Sequence, residues 1–418
     1  MSQTQTDQGP HTVQHKILYL DHTAKLGGGE IALINLLCAQ DRSKFCPIVA
    51  LASEGPLVRK LEALEIETYV LPLASSITDA RKDLLGPGSL LRLVDASRLI
   101  AYIFTLARFI REHGVAIVHA NSLKAGLYGG FAARLAGVPM LWHVRDHVDS
   151  RYLPAKVAWL MRGLIRRLPS VVVANSHSTL SRLTDSPASN PGVGGAVRMT
   201  VIHDGVDPDL YCRSEQPEKG SKRVALVGRI APWKGQHVFI DAAAKVLRKR
   251  PDTRFQIVGA PLFGETDYND GLHQQVADLG IQDSVEFTGF QSDVAGLLGK
   301  VAIVVHASTI GEPFGQVVAE GMAAAKPVIA TEGGALPEIV ENGLSGILVP
   351  MGDSDAMADA IESLLADPDA ARAMGEAARR RIQDRFTIDM TARRVEGIYS
   401  YMLRLSPSRS VVANQSAT

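Results

Sequence analysis

Residues 311–334 read GEPFGQVVAEGMAAAKPVIATEGG, and they indicate the fold more clearly than any other stretch. A run of β-branched residues ends at His306 just before them, and a second apolar run occupies 327–330. We expect a helix over 314–325 between the two runs, because the fixed φ of Pro313 suits the first helical position. A strand, a helix and a second strand in this order are typical of a parallel sheet covered by helices.

The same alternation of short apolar runs, turns and helical segments extends over most of the 418 residues. In the first half, the predicted strands are 16–20, 46–51, 68–71, 117–119, 140–144, 170–174 and 199–202. In the second half, they are 223–227, 254–258, 285–288, 302–306, 327–330 and 346–349. This repetition predicts an α/β protein with doubly wound sheets.

A polar stretch without apolar periodicity, 204–221, separates the two series of strands and predicts a boundary between two Rossmann-like domains. The chain is also too long for a single core. We expect the following segments along the chain: a disordered tail at 1–15, domains at 16–205 and 206–387, a final helix at 388–405, and a disordered tail at 406–418.

The composition excludes several classes of protein. Lys and Arg together number 44, as do Asp and Glu, so no net charge favours a nucleic-acid partner. The three cysteines, Cys38, Cys46 and Cys212, lack the spacing of a zinc site or a disulfide framework, which favours a reducing, cytoplasmic compartment. The amino terminus lacks the pattern of a signal peptide, and no apolar run is long enough to span a membrane.

Two glutamates of the quoted stretch, Glu312 and Glu320, lie about two helical turns apart near the start of the predicted helix. The free N–H groups of Phe314, Gly315 and Gln316 would point out of that helix start, where the helix dipole favours an anion. Carboxylates are good acceptors for the vicinal hydroxyls of a ribose or a hexose. The alternative is a solvated helix with two ordinary surface glutamates.

The first strand of the second half runs into the loop 227–235, which reads VGRIAPWKG. This loop places Arg229 and Lys234 at the carboxyl end of a strand, where open α/β sheets bind their ligands. A guanidinium fork and an ammonium group beside a helix start suit a diphosphate. Taken alone, a solvated basic loop explains the pattern equally well.

Three consecutive glycines, Gly27, Gly28 and Gly29, follow the first strand of the chain and open a helix. Their backbone N–H groups are able to close on a phosphate or a sugar, because no side chain keeps a ligand away. The alternative is a tight turn between a strand and a helix.

The segment 142–147, WHVRDH, ends another predicted strand and contains His143 and Arg145. Asn121 ends the preceding strand, and we expect it to line the same cleft, because the carboxyl ends of parallel strands meet at one edge of a sheet. The alternative for a lone histidine is a structural hydrogen-bond partner in the core.

In this combination the chain resembles the family-4 glycosyltransferases, which are retaining, sugar-nucleotide-dependent enzymes of the GT-B architecture. The family's motif of two glutamates separated by seven residues matches Glu312 and Glu320, and the resemblance extends from about residue 16 to 400. It also rests on shorter strings: Pro313–Gly315, Lys326–Ala330, Gly333-Gly334, Gly228-Arg229, Lys234-Gly235, Asn175-Ser176, Gly205-Val206-Asp207 and Gly27–Gly29.

The resemblance implies that the second domain binds the sugar nucleotide. Glu320 would hold the nucleotide ribose, while Arg229 and Lys234 would hold the diphosphate and stabilise it as it leaves. Glu312 would hold the transferring sugar, together with three backbone amides, those of Phe314, Gly315 and Gln316.

For the first domain, the resemblance implies the acceptor side of the reaction. His143 would face the transferring sugar, and the glycine loop would cover the phosphates of the donor. Asn121 and Arg145 would lie on the acceptor side, and the helix that begins at Ile388 would cross back to pack on this domain.

Two positions depart from the family's usual residues. Asp204 stands where the family usually has Asn before Gly-Val-Asp, and Gly321 stands where Ala usually follows the second glutamate. Neither departure removes a predicted ligand contact, although both affect the geometry expected for the donor.

The activity implied is retaining transfer of a hexosyl-type unit from a nucleotide-diphosphate sugar to a hydroxyl of a glycan, glycolipid or small molecule. A role in bacterial cell-surface polysaccharide or glycoconjugate synthesis follows from the same resemblance. We expect no cofactor and no metal, because no DxD-type loop is evident and two cations are able to replace Mg²⁺ at the diphosphate. The alternatives are a sugar-nucleotide epimerase of the same architecture and a non-catalytic protein that binds nucleotide sugars.

Residues 153–168, LPAKVAWLMRGLIRRL, predict an amphipathic basic helix that carries Lys156, Arg162, Arg166 and Arg167. Such a helix suits peripheral contact with an anionic membrane, which would match a lipid-linked acceptor at the inner face of the membrane. The alternative is a helix of the domain with a solvated basic face.

Overall fold

The computed structural model describes residues 14–74, 90–150, 153–184, 198–212, 222–262 and 264–405. The strands are β1 His15–Asp21, β2 Phe45–Leu51, β3 Glu67–Val70, β4 Ile117–Ala120, β5 Met140–Val144, β6 Val171–Ala174, β7 Arg198–Val201, β8 Arg223–Val227, β9 Arg254–Val258, β10 Val285–Gly289, β11 Ile303–His306, β12 Val328–Thr331 and β13 Ile347–Val349. The helices are α1 Gly28–Ala39, α2 Pro56–Ala63, α3 Leu90–Glu112, α4 Leu123–Ala136, α5 Ala155–Ile165, α6 His177–Leu183, α7 Pro208–Cys212, α8 Gln236–Lys249, α9 Thr266–Asp278, α10 Val294–Lys300, α11 Gln316–Ala323, α12 Leu336–Ile339, α13 Ser354–Ala366, α14 Pro368–Arg385 and α15 Ile388–Leu405.

The strands form two parallel sheets, each flanked by helices. The first sheet has the order β3-β2-β1-β4-β5-β6-β7, and the second has the order β10-β9-β8-β11-β12-β13. Strands such as β4, β5, β6, β11 and β12 are buried along their whole length, as expected when helices cover both faces. The predicted fold class of two Rossmann-like α/β domains is therefore confirmed.

All thirteen predicted strands are present, and each end lies within one residue of its predicted position. The predicted tail at 1–15 is wrong at its end, because His15 begins β1 and donates its backbone N–H to the carbonyl of Lys44 at 2.8 Å. The rest of that tail and the tail at 406–418 lie outside the described residues, as does most of the loop before β8.

The helix after β11 begins later than the sequence predicts. Helix α11 spans Gln316–Ala323, so Pro313 lies outside it and Gly315 caps it with a φ of 109°. The physical reason is the side chain of Phe314, which is buried in the core and packs on the rings of His203 and Phe386. Only glycine adopts the φ of residue 315 without strain, so the chain turns there and then becomes helical.

The last helix, α15, packs on the N-terminal domain, which is built on the first sheet. The hydroxyl of Tyr399 donates to that of Tyr19 at 2.9 Å and hydrogen-bonds with Nδ1 of His119 at 2.5 Å. Val206 ties the start of the C-terminal domain to the same helix through backbone bonds with Phe386 and Ile388. Helix α15 therefore crosses back from the second domain to the first, as predicted.

Among the helices in the described part of the chain, none is long and apolar enough to cross a membrane.

Candidate active site

The carboxylate of Glu312 is the centre of a buried polar cluster between β11 and α11. Its Oε1 accepts hydrogen bonds from Nζ of Lys234 at 2.6 Å and from the hydroxyl of Ser308 at 2.6 Å, and hydrogen-bonds with Nε2 of His306 at 3.1 Å. Burial alone would raise the pKa of Glu312, but the charge of Lys234 and the contact with His306 hold that pKa well below its usual range. Glu312 is therefore an ionised carboxylate at neutral pH.

All three of these contacts use one oxygen of the carboxylate. Among the described residues, Oε2 of Glu312 has no hydrogen-bond partner. A carboxylate oxygen has two lone pairs, so Oε2 is able to accept hydrogen bonds from a ligand hydroxyl.

Lys234 reaches Glu312 because the loop after β8 lies against the loop after β11. Gly235 has a φ of 71°, and a Cβ there would lie 1.9 Å from the carbonyl oxygen of Ala307. The backbone N–H of Thr309 donates to the carbonyl of Trp233 at 2.9 Å and fixes the two loops together. Only glycine allows this close approach, which sets the position of the preceding lysine.

Arg229 and Lys234 both lie beside the ring of Trp233. A diphosphate site that uses two cations requires them to lie close to each other. Cζ of Arg229 lies 5.6 Å and Nζ of Lys234 lies 4.5 Å from the centre of the indole ring. The guanidinium of Arg229 also lies 4.0 Å from the carboxylate of Glu265. Both cations predicted for this loop therefore contact the same indole ring, and their joint binding of a diphosphate stays a prediction.

The start of α11 lies directly after Glu312. The helix begins at Gln316 and is capped by Gly315, so the N–H groups of these two residues lie at its start. The N–H of Phe314 belongs to the preceding loop. The carbonyl of Glu312 accepts from the N–H of Ala335 at 2.9 Å, which holds the loop beside α12. The helix start, where the sequence predicts an anion site, therefore lies two residues later than expected, and the anion site stays a prediction.

Glu320 lies within α11 and is buried. Its Oε1 accepts a hydrogen bond from Nε2 of Gln316 at 3.3 Å, and Tyr211 is a second hydrogen-bond partner. Burial raises the pKa of Glu320 to about 7, against the smaller opposing effects of these two hydrogen bonds. The carboxyl group of Glu320 thus holds its proton more readily than a solvated glutamate does.

The glycine loop lies at the start of α1, but one of its N–H groups is already used. The N–H of Gly27 donates to Oε2 of Glu30 at 2.9 Å. A Cβ on Gly28 or Gly29 would meet nothing within 4 Å, so open space lies beside these two residues. Burial, together with the nearby charge of Asp21, raises the pKa of Glu30 to about 8. The N–H of Gly27 is therefore engaged within the protein, and a phosphate contact through this loop stays a prediction.

Asn121 and Arg145 belong to a buried hydrogen-bond network at the ends of β4 and β5, although Nη2 of Arg145 has no partner among the described residues. The amide nitrogen of Asn121 donates to Asp21 at 2.6 Å, and its oxygen accepts from Nη1 of Arg145. Nε of Arg145 donates to Asp204 at 3.0 Å, and Asn175 donates to the other oxygen of Asp204 at 3.0 Å. Both ends of the Asn121 amide are thus engaged within the protein, and the acceptor-side position of Asn121 and Arg145 stays a prediction.

His143 does not face the cleft as expected, because its side chain is 0% exposed. Nδ1 lies 3.3 Å from Nε2 of His119, which in turn contacts Tyr399. Burial, with the charge of Arg145, keeps the pKa of His143 well below its usual value. His143 is thus a core histidine of β5.

A histidine of the N-terminal domain, His147, lies close enough to Glu312 for the carboxylate to affect its pKa, although the sequence pattern does not single it out. Its Nε2 hydrogen-bonds with the hydroxyl of Ser178 at 3.3 Å. Burial, followed by the charge of Arg182, lowers its pKa to about 4, although the carboxylates of Glu312 and other acids oppose this. The position of the two histidines relative to the predicted strand 140–144 distinguishes them. His143 lies inside the strand, whereas His147 follows its carboxyl end, where ligands bind.

Oε1 of Glu312 already has a cation beside it, because the ammonium group of Lys234 lies 2.6 Å away. A diphosphate between Arg229 and Lys234 is the better match for this charge pattern.

Two family models match the chain. The first, Glycosyltransferase Family 4, matches residues 56–210, and the second, Glycosyl transferases group 1, matches residues 211–381. Together with the two-domain architecture, these matches define a glycosyltransferase of the GT-B class. The chain belongs to the family-4, group 1 glycosyltransferases, and its class of activity is glycosyl transfer.

Similar proteins agree with this assignment. A D-inositol 3-phosphate glycosyltransferase from Frankia alni is 29% identical over 399 residues, which cover 85% of this chain and 94% of that protein. An alpha-D-kanosaminyltransferase from Streptomyces kanamyceticus is 27% identical and covers 70% of this chain and 78% of that protein. The crystal structure of Anabaena Alr3699/HepE in complex with UDP and glucose has a TM-score of 0.77 and 29% identity, and covers 93% of this chain and all of that one.

Proposed function

We propose that this protein is a retaining glycosyltransferase that moves a hexosyl-type unit from a UDP-sugar to a hydroxyl acceptor. The observation that carries the proposal is the contact of Lys234 with Glu312 at the start of α11. It brings together a cation for the diphosphate and a carboxylate with one unused oxygen for the sugar. The choice of uridine is supported by the similar Anabaena structure, which contains UDP.

The chemical difficulty is to break the anomeric C–O bond while negative charge develops on the leaving diphosphate. Arg229, Lys234 and the N–H groups at the start of α11 stabilise that charge, and their positions are fixed before the reaction begins. Preorganised electrostatic groups of this kind contribute the largest share of many enzymatic rate enhancements. Because two side-chain cations serve the diphosphate, the transfer needs no metal and no cofactor.

Glu312 orients the sugar rather than attacking it. Its Oε1 is bound to Lys234, Ser308 and His306, which lowers its nucleophilicity, while Oε2 accepts a hydrogen bond from a sugar hydroxyl. Retention then follows from a displacement on the same face, in which the acceptor oxygen bonds to the anomeric carbon as the C–O bond to the diphosphate breaks. The departing phosphate oxygen takes the proton of the acceptor hydroxyl.

The acceptor is a hydroxyl of a glycan, a glycolipid or a small molecule, and the reaction belongs to bacterial cell-surface polysaccharide or glycoconjugate synthesis.

Membrane contact through 153–168 is part of this proposal. Trp159 and Leu160 on α5 are 72% and 52% exposed, and Lys156 and Arg167 beside them are exposed as well. An exposed indole among cations suits the surface of an anionic bilayer.

Co-sedimentation with anionic liposomes tests the membrane contact. The substitution Trp159→Ala combined with Lys156→Glu is expected to abolish binding. The matched control, Leu279→Ala combined with Lys300→Glu on the C-terminal domain, should leave it unchanged. Equal binding of both double variants would remove this part of the proposal.

The transfer itself is tested by UDP release from a panel of UDP-hexoses in the presence of EDTA, with the anomeric configuration of the product assigned by NMR. We expect acceptor-dependent release of UDP, retained configuration and no covalent adduct on Glu312. Epimerisation of the UDP-sugar without release of UDP would favour the epimerase alternative. Loss of turnover in EDTA that Mg²⁺ restores, or a trapped sugar on Glu312, would contradict the mechanism.

A further inference from the structure

Three side chains at the contact between the two domains bring potential metal ligands together. These are His177, His203 and Glu338, and one ligand atom of each lies within 4.8 Å of those of the other two. His177 begins α6 and His203 follows β7, both in the N-terminal domain, whereas Glu338 lies on α12 of the C-terminal domain. None of the three takes part in the proposed transfer reaction.

We propose that these residues form a site for a divalent transition metal, of which Zn²⁺ is the best match, and that the ion links the two domains. Two imidazoles and one carboxylate are a common protein ligand set for zinc. Four-coordinate zinc with bonds of about 2.0–2.1 Å requires ligand atoms about 3.3 Å apart. The present separations of up to 4.8 Å must therefore shorten when the ion binds, and the exposed position of His177 leaves room for a water as fourth ligand.

The present hydrogen bonds leave each residue able to bind an ion. Oε2 of Glu338 accepts from the N–H of His177 at 2.9 Å and contacts Nε2 of His203 at 2.8 Å, while Oε1 accepts from the N–H of Ser178 at 2.8 Å. Oε1 therefore keeps one lone pair for a metal. When the ion binds, Nε2 of His203 gives up its proton and the imidazole keeps the proton on Nδ1.

The ring of His177 is the least committed of the three ligands. Within the described residues its nitrogens make no hydrogen bond, and the ring lies beside that of His203 with the centroids 5.7 Å apart. An exposed imidazole next to a second imidazole and a carboxylate is free to turn toward a shared ion. This is the observation that favours a metal site over a simple ion pair between His203 and Glu338.

The ligand types predict which ions bind. Imidazole nitrogen suits Zn²⁺, Co²⁺ and Ni²⁺, whereas Mg²⁺ and Ca²⁺ prefer sites made of oxygen ligands. None of the three ligands belongs to the proposed donor site, although the ring of His203 packs on that of Phe314. The proposed metal site stands whether or not the proposed transfer is correct.

Titration of the metal-free full-length chain with Co²⁺ tests the proposal, because four- or five-coordinate Co²⁺ absorbs visible light much more strongly than the hydrated ion. We expect one saturable equivalent with this absorption, and displacement by Zn²⁺ but not by Mg²⁺. His177→Ala should weaken binding at least tenfold without unfolding the protein, because His177 is exposed. His273→Ala, which removes another exposed histidine, is the matched control and should bind normally.

A second readout uses stability rather than absorption. Zn²⁺ binds the folded chain, so it should raise the thermal midpoint of the wild type and of His273→Ala, but not that of His177→Ala. The spectrum of hydrated Co²⁺ alone, or equal Co²⁺ binding by wild type and His177→Ala, would overturn the proposal.

Discussion

The ammonium group of Lys234 lies 2.6 Å from the carboxylate of Glu312, although the two residues are 78 positions apart in the sequence. The lysine follows β8 and the glutamate follows β11, and these strands are neighbours in the second sheet. The carboxyl ends of adjacent parallel strands therefore deliver both groups to one edge, where open α/β sheets bind ligands. The proposed donor site is a direct consequence of the strand order.

Removal of the lysine charge is expected to reduce turnover strongly. Lys234→Met leaves the leaving diphosphate without one of its two cations, and also leaves the buried carboxylate of Glu312 without its closest counter-charge. Loss of one preorganised group of this kind costs about 10²–10³-fold in kcat. Steady-state kinetics of UDP release would measure the effect.

Lys245→Met is the matched control, because Lys245 also contacts a carboxylate, that of Asp355, but on the solvated side of the same domain. Its kcat should stay within twofold of wild type. Similar kcat values for Lys234→Met and wild type would show that the ammonium group does not assist the leaving group.

Binding of UDP-glucose is expected to depend on pH through Glu320. The pKa of about 7 in the free protein should fall when ribose hydroxyls donate to the carboxylate, because these bonds favour the charged form. Binding should therefore release protons, and the affinity should fall as pH decreases below about 7, by up to about tenfold per pH unit. Calorimetry in two buffers with different ionisation enthalpies measures the protons released.

UDP-glucose is the suitable ligand, since its diphosphate does not titrate in this pH range. Glu320→Gln should remove the proton release and flatten the pH profile, while Glu362→Gln, a surface carboxyl of the same domain, should keep both. If Glu320→Gln released as many protons as the wild type, Glu320 would not be the group that binds the ribose hydroxyls.

Replacement of His147 and of His143 by alanine is expected to affect different properties, namely turnover for His147 and stability for His143. His147 lies near the Glu312 cluster, so His147→Ala should lower kcat by about 10²-fold through misplacement of the sugar, with little change in UDP affinity. His143 is fully buried, so His143→Ala should instead lower the free energy of unfolding by about 1–3 kcal/mol. Steady-state kinetics and urea denaturation of both variants test this prediction. A loss of stability in His147→Ala with unchanged kcat, or a loss of kcat in His143→Ala with unchanged stability, would contradict it.

Asp204 is expected to stabilise the fold strongly through its ion pair with Arg145. Arg145 and Asp204 are each only 5% exposed and are joined at 3.0 Å. Asp204→Asn would leave the buried guanidinium without a counter-charge, at a cost of about 3–5 kcal/mol in the free energy of unfolding. Urea denaturation would measure the loss.

The double variant Arg145→Met with Asp204→Asn should recover part of that stability, because no unpaired charge remains. Arg372→Gln, which breaks an ion pair on the surface of α14, should change stability by less than about 1 kcal/mol. A loss for Asp204→Asn no greater than that of Arg372→Gln would show that the buried pair is unimportant.

The strands were predictable because their signal is local. A strand buried on both faces is a short apolar run between turns, and β5, β8 and β9 begin and end at the predicted residues. The start of α11 was not predictable in the same way, since it depends on where the side chain of Phe314 is buried. That burial is set by His203 and Phe386, which are distant in the sequence.

The candidate site was predictable in its residue types but not in its contacts. The sequence indicates that Glu312, Arg229 and Lys234 lie in two loops that follow strands, and that Glu320 lies on the helix after Glu312. It does not indicate that the amide of Asn121 hydrogen-bonds with Asp21 and Arg145, since these hydrogen bonds join the ends of three different strands. Side chains that hydrogen-bond to one another and side chains that face a ligand give the same sequence pattern.

The most direct test of the central claim is a thermal-shift comparison of UDP, GDP, ADP and TDP in the presence of EDTA. A ligand that binds only the folded state at 100 times its Kd adds about 2.7 kcal/mol of stability, which is several degrees in midpoint. We predict a shift with UDP that exceeds the other three and is lost in Glu320→Ala. No shift with any nucleotide, or a UDP shift that Glu320→Ala retains, would contradict the account.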